Sequence, residues 1–236
     1  MMYNKRMVYV KRRRRIRWIP FTLFLALIFA TAFFLLRPYI FKQEEAVVVE
    51  EPTENTVVGV DTNQNGLSDI EDIVIGARID ALNLVEYINA YYNGGYPPET
   101  EGTCTDLVWR AFEEAGLSLK DMVDADIASN PGAYPNALVP DPNIDFRRVG
   151  NLYYFFLRNA LELTTDVYET DQWQAGDIVI FGNMAHIGIV SDIRNDNDIP
   201  FLIHNNDQPI REEDRLEYGS YTMGITGHFR WISSVQ

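Results

Sequence analysis

The chain has 236 residues, 47% hydrophobic and 13% aromatic, which is enough apolar material to bury one main domain and excludes an intrinsically disordered chain. Its formal net charge is −14, but residues 1–42 contain ten of the 20 Lys and Arg and none of the 34 Asp and Glu. Residues 43–236 are therefore strongly acidic, which argues against nucleic acid as a partner.

The N-terminus has the pattern of a membrane anchor. Residues 1–17 are basic, and residues 18–36 are uncharged and apolar. Nineteen helical residues span about 28 Å, close to the hydrocarbon thickness of a bilayer. We expect a basic cytoplasmic tail, a single transmembrane helix and an extracytoplasmic remainder. A cleaved signal peptide fits less well because the apolar run is long and lacks a small-residue cleavage site. A basic nucleic-acid tail is the weaker alternative.

An acidic linker, residues 37–60, leads to a candidate calcium loop at residues 61–72, DTNQNGLSDIED. Oxygen ligands at alternate positions, with a glycine at the sixth, are typical of EF-hand-type loops. The candidate ligands are Asp61, Asn63, Asn65, Leu67 (through its carbonyl), Asp69 and Asp72. The loop resembles those of dockerins and thrombospondin type 3 repeats, which also end in Asp and occur outside cells. Because its last ligand is a short carboxylate and two of its ligands are neutral amides, we expect weak, structural Ca²⁺ binding. The alternative is an Asn/Gly turn that caps the following helix.

The rest of the chain predicts helices followed by strands. Apolar spacing favours helices over residues 69–92, 104–115 and 151–163, with a long proline-containing loop over 121–150. Alternating patterns predict strands at 177–181, 186–190, 201–205 and 228–232. This order indicates an α+β domain with an antiparallel sheet.

The only cysteine, Cys104, falls in the first turn of a predicted helix, where Thr103 and Asp106 have capping-box spacing. Free backbone N–H groups at a helix start stabilise a thiolate, so we expect a lowered thiol pKa and a nucleophile. The alternative is a small buried hydrophobic residue.

A thiol nucleophile needs a base and a residue that orients the base. If the strands at 186–190 and 201–205 pair as a hairpin, His186 and His204 lie on one face, and His204 can orient His186. His228 is not assigned a role. Histidines on strands are more often ordinary polar residues than catalysts.

The segments CTDLVWRAF, PNIDFRRVGNL, WQAGDIV, HIGIVSD, IHN and ITGHFR resemble the bacterial family known as domain of unknown function 1287, and more broadly the NlpC/p60 superfamily of papain-like cysteine peptidases and amidases. The resemblance implies a papain-like domain over 69–236 with Cys104 as nucleophile, His186 as base and His204 as orienting residue. It also implies that the Cys104 N–H helps to form an oxyanion hole. Thr103 and Thr105 replace the usual Asp-Cys-Ser-Gly neighbours, so the specificity is not carried over. The segment 205–208, NNDQ, replaces an expected glycine.

Arg147 and Arg148 are candidate substrate-binding residues because wall peptides carry free carboxylates, which Arg binds in a bidentate manner. Asp106 is a third candidate. A structural ion pair of these arginines with Asp145 or another acid, and a helix-start role for Asp106, explain them equally well.

The sequence thus predicts a membrane-anchored extracytoplasmic cysteine hydrolase that cleaves amide bonds, in cell-wall peptide by virtue of the superfamily and the location. No cofactor is needed for catalysis, and the oligomeric state stays open. The alternatives are an acyl or amide transferase of the same fold, and a calcium-stabilised binding module with a vestigial site.

Overall fold

The computed structural model describes residues 59–232. The predicted tail at 1–17, the transmembrane helix at 18–36 and nearly all of the linker at 37–60 lie outside these residues. Between residues 59 and 232, the structure contains no helix that is both long enough and apolar enough to cross a membrane.

Five α-helices and eight strands form the described part of the chain. The helices are α1 Asp69–Asn83, α2 Cys104–Glu114, α3 Leu119–Ser129, α4 Val149–Asn159 and α5 Leu216–Thr222. The strands are β1 Glu86–Tyr87, β2 Glu101–Gly102, β3 Leu161–Glu162, β4 Ile178–Phe181, β5 His186–Arg194, β6 Pro200–Ile203, β7 Glu212–Glu213 and β8 Ile225–Arg230.

Helix α1 begins at a capping box and ends earlier than its apolar pattern predicts. The Ser68 backbone N–H donates to Glu71 Oε2 over 2.8 Å, and the Ser68 side chain accepts from the Glu71 backbone. Leu84 then takes a left-handed conformation, with φ 48° and ψ 46°, which stops the helix. The predicted extension to residue 92 is wrong because β1 leaves the helix to pair in parallel with β2.

The predicted long loop at 121–150 is also wrong, because its first part is helix α3. Ser118 caps this helix by accepting from the Asp121 backbone N–H. Leu119, Val123 and Ile127 recur every four residues and are all buried. The prolines that suggested a loop lie after the helix has ended.

The main sheet has the strand order β3-β8-β4-β5-β6-β7, with every neighbouring pair antiparallel. Ile180 and Ile187 face the helices in the larger core, whereas Val179 and Phe181 belong to a second core on the opposite face. Helix α2 packs against both α1 and β5. The predicted α+β class with an antiparallel sheet is therefore confirmed.

Candidate active site

The register of the sheet brings His186 and His204 together. Gly188 on β5 faces Val179 of β4, and the pair Ile189 and Ile203 joins β5 to β6. His204 follows the last residue of β6, so it lies diagonally across the two strands from His186, on the same face. Gly188 permits the close approach of β6, because a Cβ at this position would lie only 3.1 Å from the Cβ of His204.

The two imidazoles begin a chain of hydrogen bonds. His186 Nε2 lies 2.8 Å from His204 Nδ1, and the rings meet edge to face at 79°. His204 Nε2 lies 3.2 Å from Glu213 Oε1 and 3.0 Å from Gln208 Nε2. Arg215 Nε donates to the other Glu213 oxygen over 3.0 Å. One line of contacts therefore runs from His186 to Arg215.

Burial keeps both imidazoles neutral at neutral pH. It is the main cause that lowers the pKa of His186 to about 4, and the neighbouring His204 lowers it further. Burial likewise lowers the pKa of His204 to about 4, followed by the positive charges of Arg215 and Arg211. Neutral histidine carries one N–H and one lone pair, so each ring can take up a proton.

Cys104 is the first residue of helix α2, as predicted, and only 6% of its surface is exposed. The Asp106 carboxylate accepts from the Thr103 backbone N–H over 2.7 Å at the helix start. Asn205, next to His204, donates to the Gly102 carbonyl over 3.3 Å. These contacts hold the start of α2 against the end of the sheet that carries the two histidines.

The environment of the sulfur raises its pKa, so the lowering that the helix start predicts is wrong for the free protein. Burial is the largest cause and raises the pKa of Cys104 to about 11, and the Asp106 charge acts in the same direction. Backbone N–H groups of Ile187, Thr105 and Cys104 itself oppose this rise. Among the hydrogen bonds of residues 59–232, none joins the sulfur to either imidazole.

An open cleft with a volume of about 340 Å³ lies over this cluster. His186, His204, Glu213 and Arg215 line it together with apolar side chains, which are Phe181, Leu202 and Met223. Tyr87 also lines it, and burial and then the nearby charge of Cys104 raise the pKa of this phenol. Cys104 is not a lining residue, but the backbone N–H group that lies at its sulfur belongs to Ile187, the residue after the lining residue His186.

Asp106 and Arg147 form a buried bidentate ion pair. Arg147 Nε lies 2.6 Å from Asp106 Oδ1, and Arg147 Nη2 lies 2.9 Å from Asp106 Oδ2. Both side chains are at most 2% exposed. Burial alone raises the pKa of Asp106, but the hydrogen bonds and charge of Arg147, followed by Trp109 and Thr103, lower it overall. The pair joins the start of α2 to the turn before α4.

Arg148 is separate from this pair. It donates to Asp145 over 3.0 Å and to the Asn136 carbonyl over 3.2 Å, and its side chain is 42% exposed. Substrate binding by Asp106, Arg147 and Arg148 stays a prediction, and their contacts favour the structural alternative.

The unassigned histidine, His228, is fully buried away from the cluster. Its Nε2 lies 2.9 Å from Asp177 Oδ2 and its Nδ1 lies 2.7 Å from the Thr164 carbonyl. Its ring stacks on Trp173 with the centroids 3.6 Å apart. Arg230 also donates to Asp177, so these residues tie β4 to β8 inside the fold.

Most polar side chains of the candidate calcium loop form hydrogen bonds within the loop. Asn63 Nδ2 and Asn65 Nδ2 each donate to Asp72 over 2.9 Å, and Asp61 accepts from the Asn65 and Gly66 backbones. The Asp69 carboxylate instead accepts from the backbone N–H and the hydroxyl of Thr62. In residues 59–232, no group of three or more His, Cys, Asp and Glu side chains is placed to hold a metal, and this loop contributes amides as well as carboxylates.

Sequence reasoning missed Glu213, Arg215 and Gln208. All three follow β6 in a stretch rich in polar residues, where neither apolar spacing nor a motif distinguishes one acid or amide from another. Only the return of the chain along β6 as β7 brings Glu213 to His204.

The fold and the site define an α+β domain with an antiparallel sheet and a His-His-Glu hydrogen-bond chain, at an end of the sheet that contacts the start of the helix carrying Cys104. The chain belongs to the family described as "Domain of unknown function (DUF1287)", whose model matches residues 74–231. It is 36% identical over 187 residues to "Uncharacterized protein YijF" of Escherichia coli (strain K12), an alignment that covers 75% of this chain and 86% of the relative. No solved structure matches the chain.

Proposed function

We propose that this protein is a membrane-anchored extracytoplasmic cysteine hydrolase of the NlpC/p60-like, papain-like class, which cleaves amide bonds through a Cys104-His186-His204 mechanism. The observation that carries the proposal is the hydrogen-bond chain from His186 through His204 to Glu213, in the wall of an open cleft next to a cysteine at a helix start. A base with an orienting partner beside a thiol is the arrangement that nucleophilic catalysis requires.

The hydrogen-bond partner of His204 Nε2 determines which tautomer His204 and His186 adopt. If a Glu213 oxygen accepts the His204 Nε2–H, then His204 Nδ1 carries a lone pair and accepts the Nε2–H of His186. His186 Nδ1 then has a lone pair, which is what a general base needs. If Gln208 instead donates to His204 Nε2, the opposite tautomer follows and His186 Nδ1 carries a hydrogen. Glu213 therefore favours the active form.

The proposed reaction proceeds through a thioester. His186 takes the thiol proton while Cys104 Sγ attacks the carbonyl carbon, and the backbone N–H of Cys104 stabilises the developing oxyanion. The same proton passes to the leaving amine as the C–N bond breaks. Water, deprotonated by His186, then attacks the thioester, and the thiol regains its proton as the carboxylic acid leaves.

Cell-wall stem peptide is the proposed substrate because of the resemblance to the NlpC/p60 superfamily and because the apolar run at 18–36 would anchor the domain outside the membrane, where the wall lies. The acidic surface of residues 43–236 fits no nucleic-acid role.

We further propose that the 61–72 loop holds a structural Ca²⁺. Asp61, Asn63, Asn65 and Asp72 lie together in this loop and carry side-chain oxygen atoms of the type that calcium prefers, and the Leu67 carbonyl completes the sequence pattern. Asn63 also donates to the Glu114 carbonyl at the end of α2 over 2.8 Å, so the loop supports the helix that carries Cys104.

The test compares the full-length protein, purified in detergent, with its Cys104→Ala variant. Each is incubated with purified wall fragments, and the products are analysed by mass spectrometry. The proposal expects new amine and carboxylate ends only with the wild type. If the wild type and the variant give the same products, or if neither gives products from wall fragments of any type, the binding-module alternative would be favoured. Transfer of the acyl group to an added amine instead of water would favour the transferase.

A further inference from the structure

Arg215 is the single cation among the described residues that line the cleft. Residues 43–236 contain only ten Lys and Arg against 34 Asp and Glu, so a cation at this position is chemically distinctive. Its side chain is 45% exposed, which leaves it accessible from solvent.

The contacts of Arg215 fix the guanidinium and leave one edge available. Its Nε donates to Glu213 over 3.0 Å, and its central carbon lies 4.6 Å from the centroid of the Tyr218 ring. These contacts set the position and the plane of the group. Its two terminal NH2 groups make no hydrogen bond within residues 59–232. They form the edge with which arginine binds a carboxylate through two parallel hydrogen bonds.

Arg215 is linked to the proposed catalytic histidines through Glu213. Arg215 and His204 bind opposite oxygens of the same Glu213 carboxylate. Phe181, Leu202 and Met223 line the same cleft and supply apolar surface. A ligand with an amide bond, an apolar segment and a free carboxylate matches this lining.

We propose that Arg215 is the specificity-determining residue of the cleft, and that it selects amide substrates that bear a free carboxylate. The proposal deepens the proposed hydrolase function and rests on it, because the bound ligand is a substrate only if the protein is an enzyme. The carboxylate binds the two terminal NH2 groups of Arg215, while Glu213 keeps its bonds to Arg215 Nε and His204.

A binding experiment separates this proposal from catalysis. Full-length Cys104→Ala protein is titrated with soluble wall stem peptides and with the same peptides converted to carboxamides. A bidentate charged contact predicts that the carboxylate forms bind roughly tenfold to a hundredfold more tightly. Binding needs no cleavage, so the result stands even if the wild type proves inactive.

Two substitutions in this background identify the residue responsible. Arg215→Met should reduce the ratio of the two affinities to near one, and Arg215→Lys, which keeps the charge but loses the planar fork, should leave an intermediate ratio. Arg158→Met is the matched control, because it removes an exposed arginine that pairs with Asp126 outside the cleft. Circular dichroism verifies that each variant is folded.

Equal affinity for carboxylate and carboxamide in the Cys104→Ala parent would overturn the proposal. A preference that survives Arg215→Met, or that Arg158→Met reduces equally, would also overturn it. If the wild type cleaves carboxylate and carboxamide peptides equally well, the hydrolase proposal is supported and the proposed role of Arg215 is refuted.

Discussion

The raised pKa of Cys104 makes a prediction about stability that does not depend on any activity. Burial raises this pKa from 9.0 to about 11, so between these values the unfolded chain loses its thiol proton while the folded protein keeps it. Folding stability then falls as the pH rises through this window, because the folded state binds more protons. The full shift of about two pK units corresponds to roughly 3 kcal/mol. By about pH 10.5 roughly 2 kcal/mol of this should be lost.

The assay is urea unfolding followed by tryptophan fluorescence, for the wild type and Cys104→Ala at a series of pH values from about 7.5 to about 10.5. Tyrosine and lysine titrations affect both proteins, so the difference between the two free energies isolates the thiol. The cavity left by alanine adds a constant offset that does not depend on pH. If the two pH profiles run parallel, the sulfur is not held in a desolvated site and the burial argument is refuted.

Four further predictions follow from other contacts. His204→Asn should weaken the loss of stability seen as the pH falls from about 6.5 through about 4, because burial lowers the pKa of this imidazole in the folded state; acid unfolding curves measure this. Asp106→Asn leaves the Arg147 charge buried and unpaired and should lower the free energy of unfolding by about 3–5 kcal/mol in urea. Glu213→Gln should reduce kcat/KM of the proposed Cys104-dependent reaction roughly tenfold to a hundredfold, measured with wall peptides, since it removes the charged group proposed to accept the His204 Nε2–H. Calcium at about ten times its Kd should add about 1.4 kcal/mol, or roughly 3 °C in Tm, and Asp61→Ala should abolish this rise.

The elements that the sequence predicts well are those that local chemistry determines. Helix α2 begins at Cys104 because Thr103 and Asp106 form the cap, and these two residues are only three positions apart in sequence. The strands around His186 and His204 have strong alternation, so their pairing followed from the pattern. Helix α3 was missed although its signal was present: Ser118 as a cap and buried positions four residues apart.

Features that depend on distant packing could not be predicted. The partner of Arg147 is Asp106, which is 41 residues away, and no spacing rule distinguishes it from Asp145 nearby. The pKa of Cys104 depends on how deeply α2 packs against β5, so the helix-start argument alone gave the wrong direction. Glu213 reaches His204 only because β7 adds to the edge of β6.

The two pKa directions determine how the proposed reaction must begin. Burial raises the pKa of the Cys104 thiol and lowers the pKa of the His186 imidazole, so a thiolate–imidazolium ion pair is disfavoured in the free protein. In the proposed reaction the two groups therefore start as a neutral thiol and a neutral imidazole, and His186 takes the proton as the sulfur attacks. This requirement makes the His186 tautomer decisive, and it gives Glu213 a role that a preformed thiolate would not need.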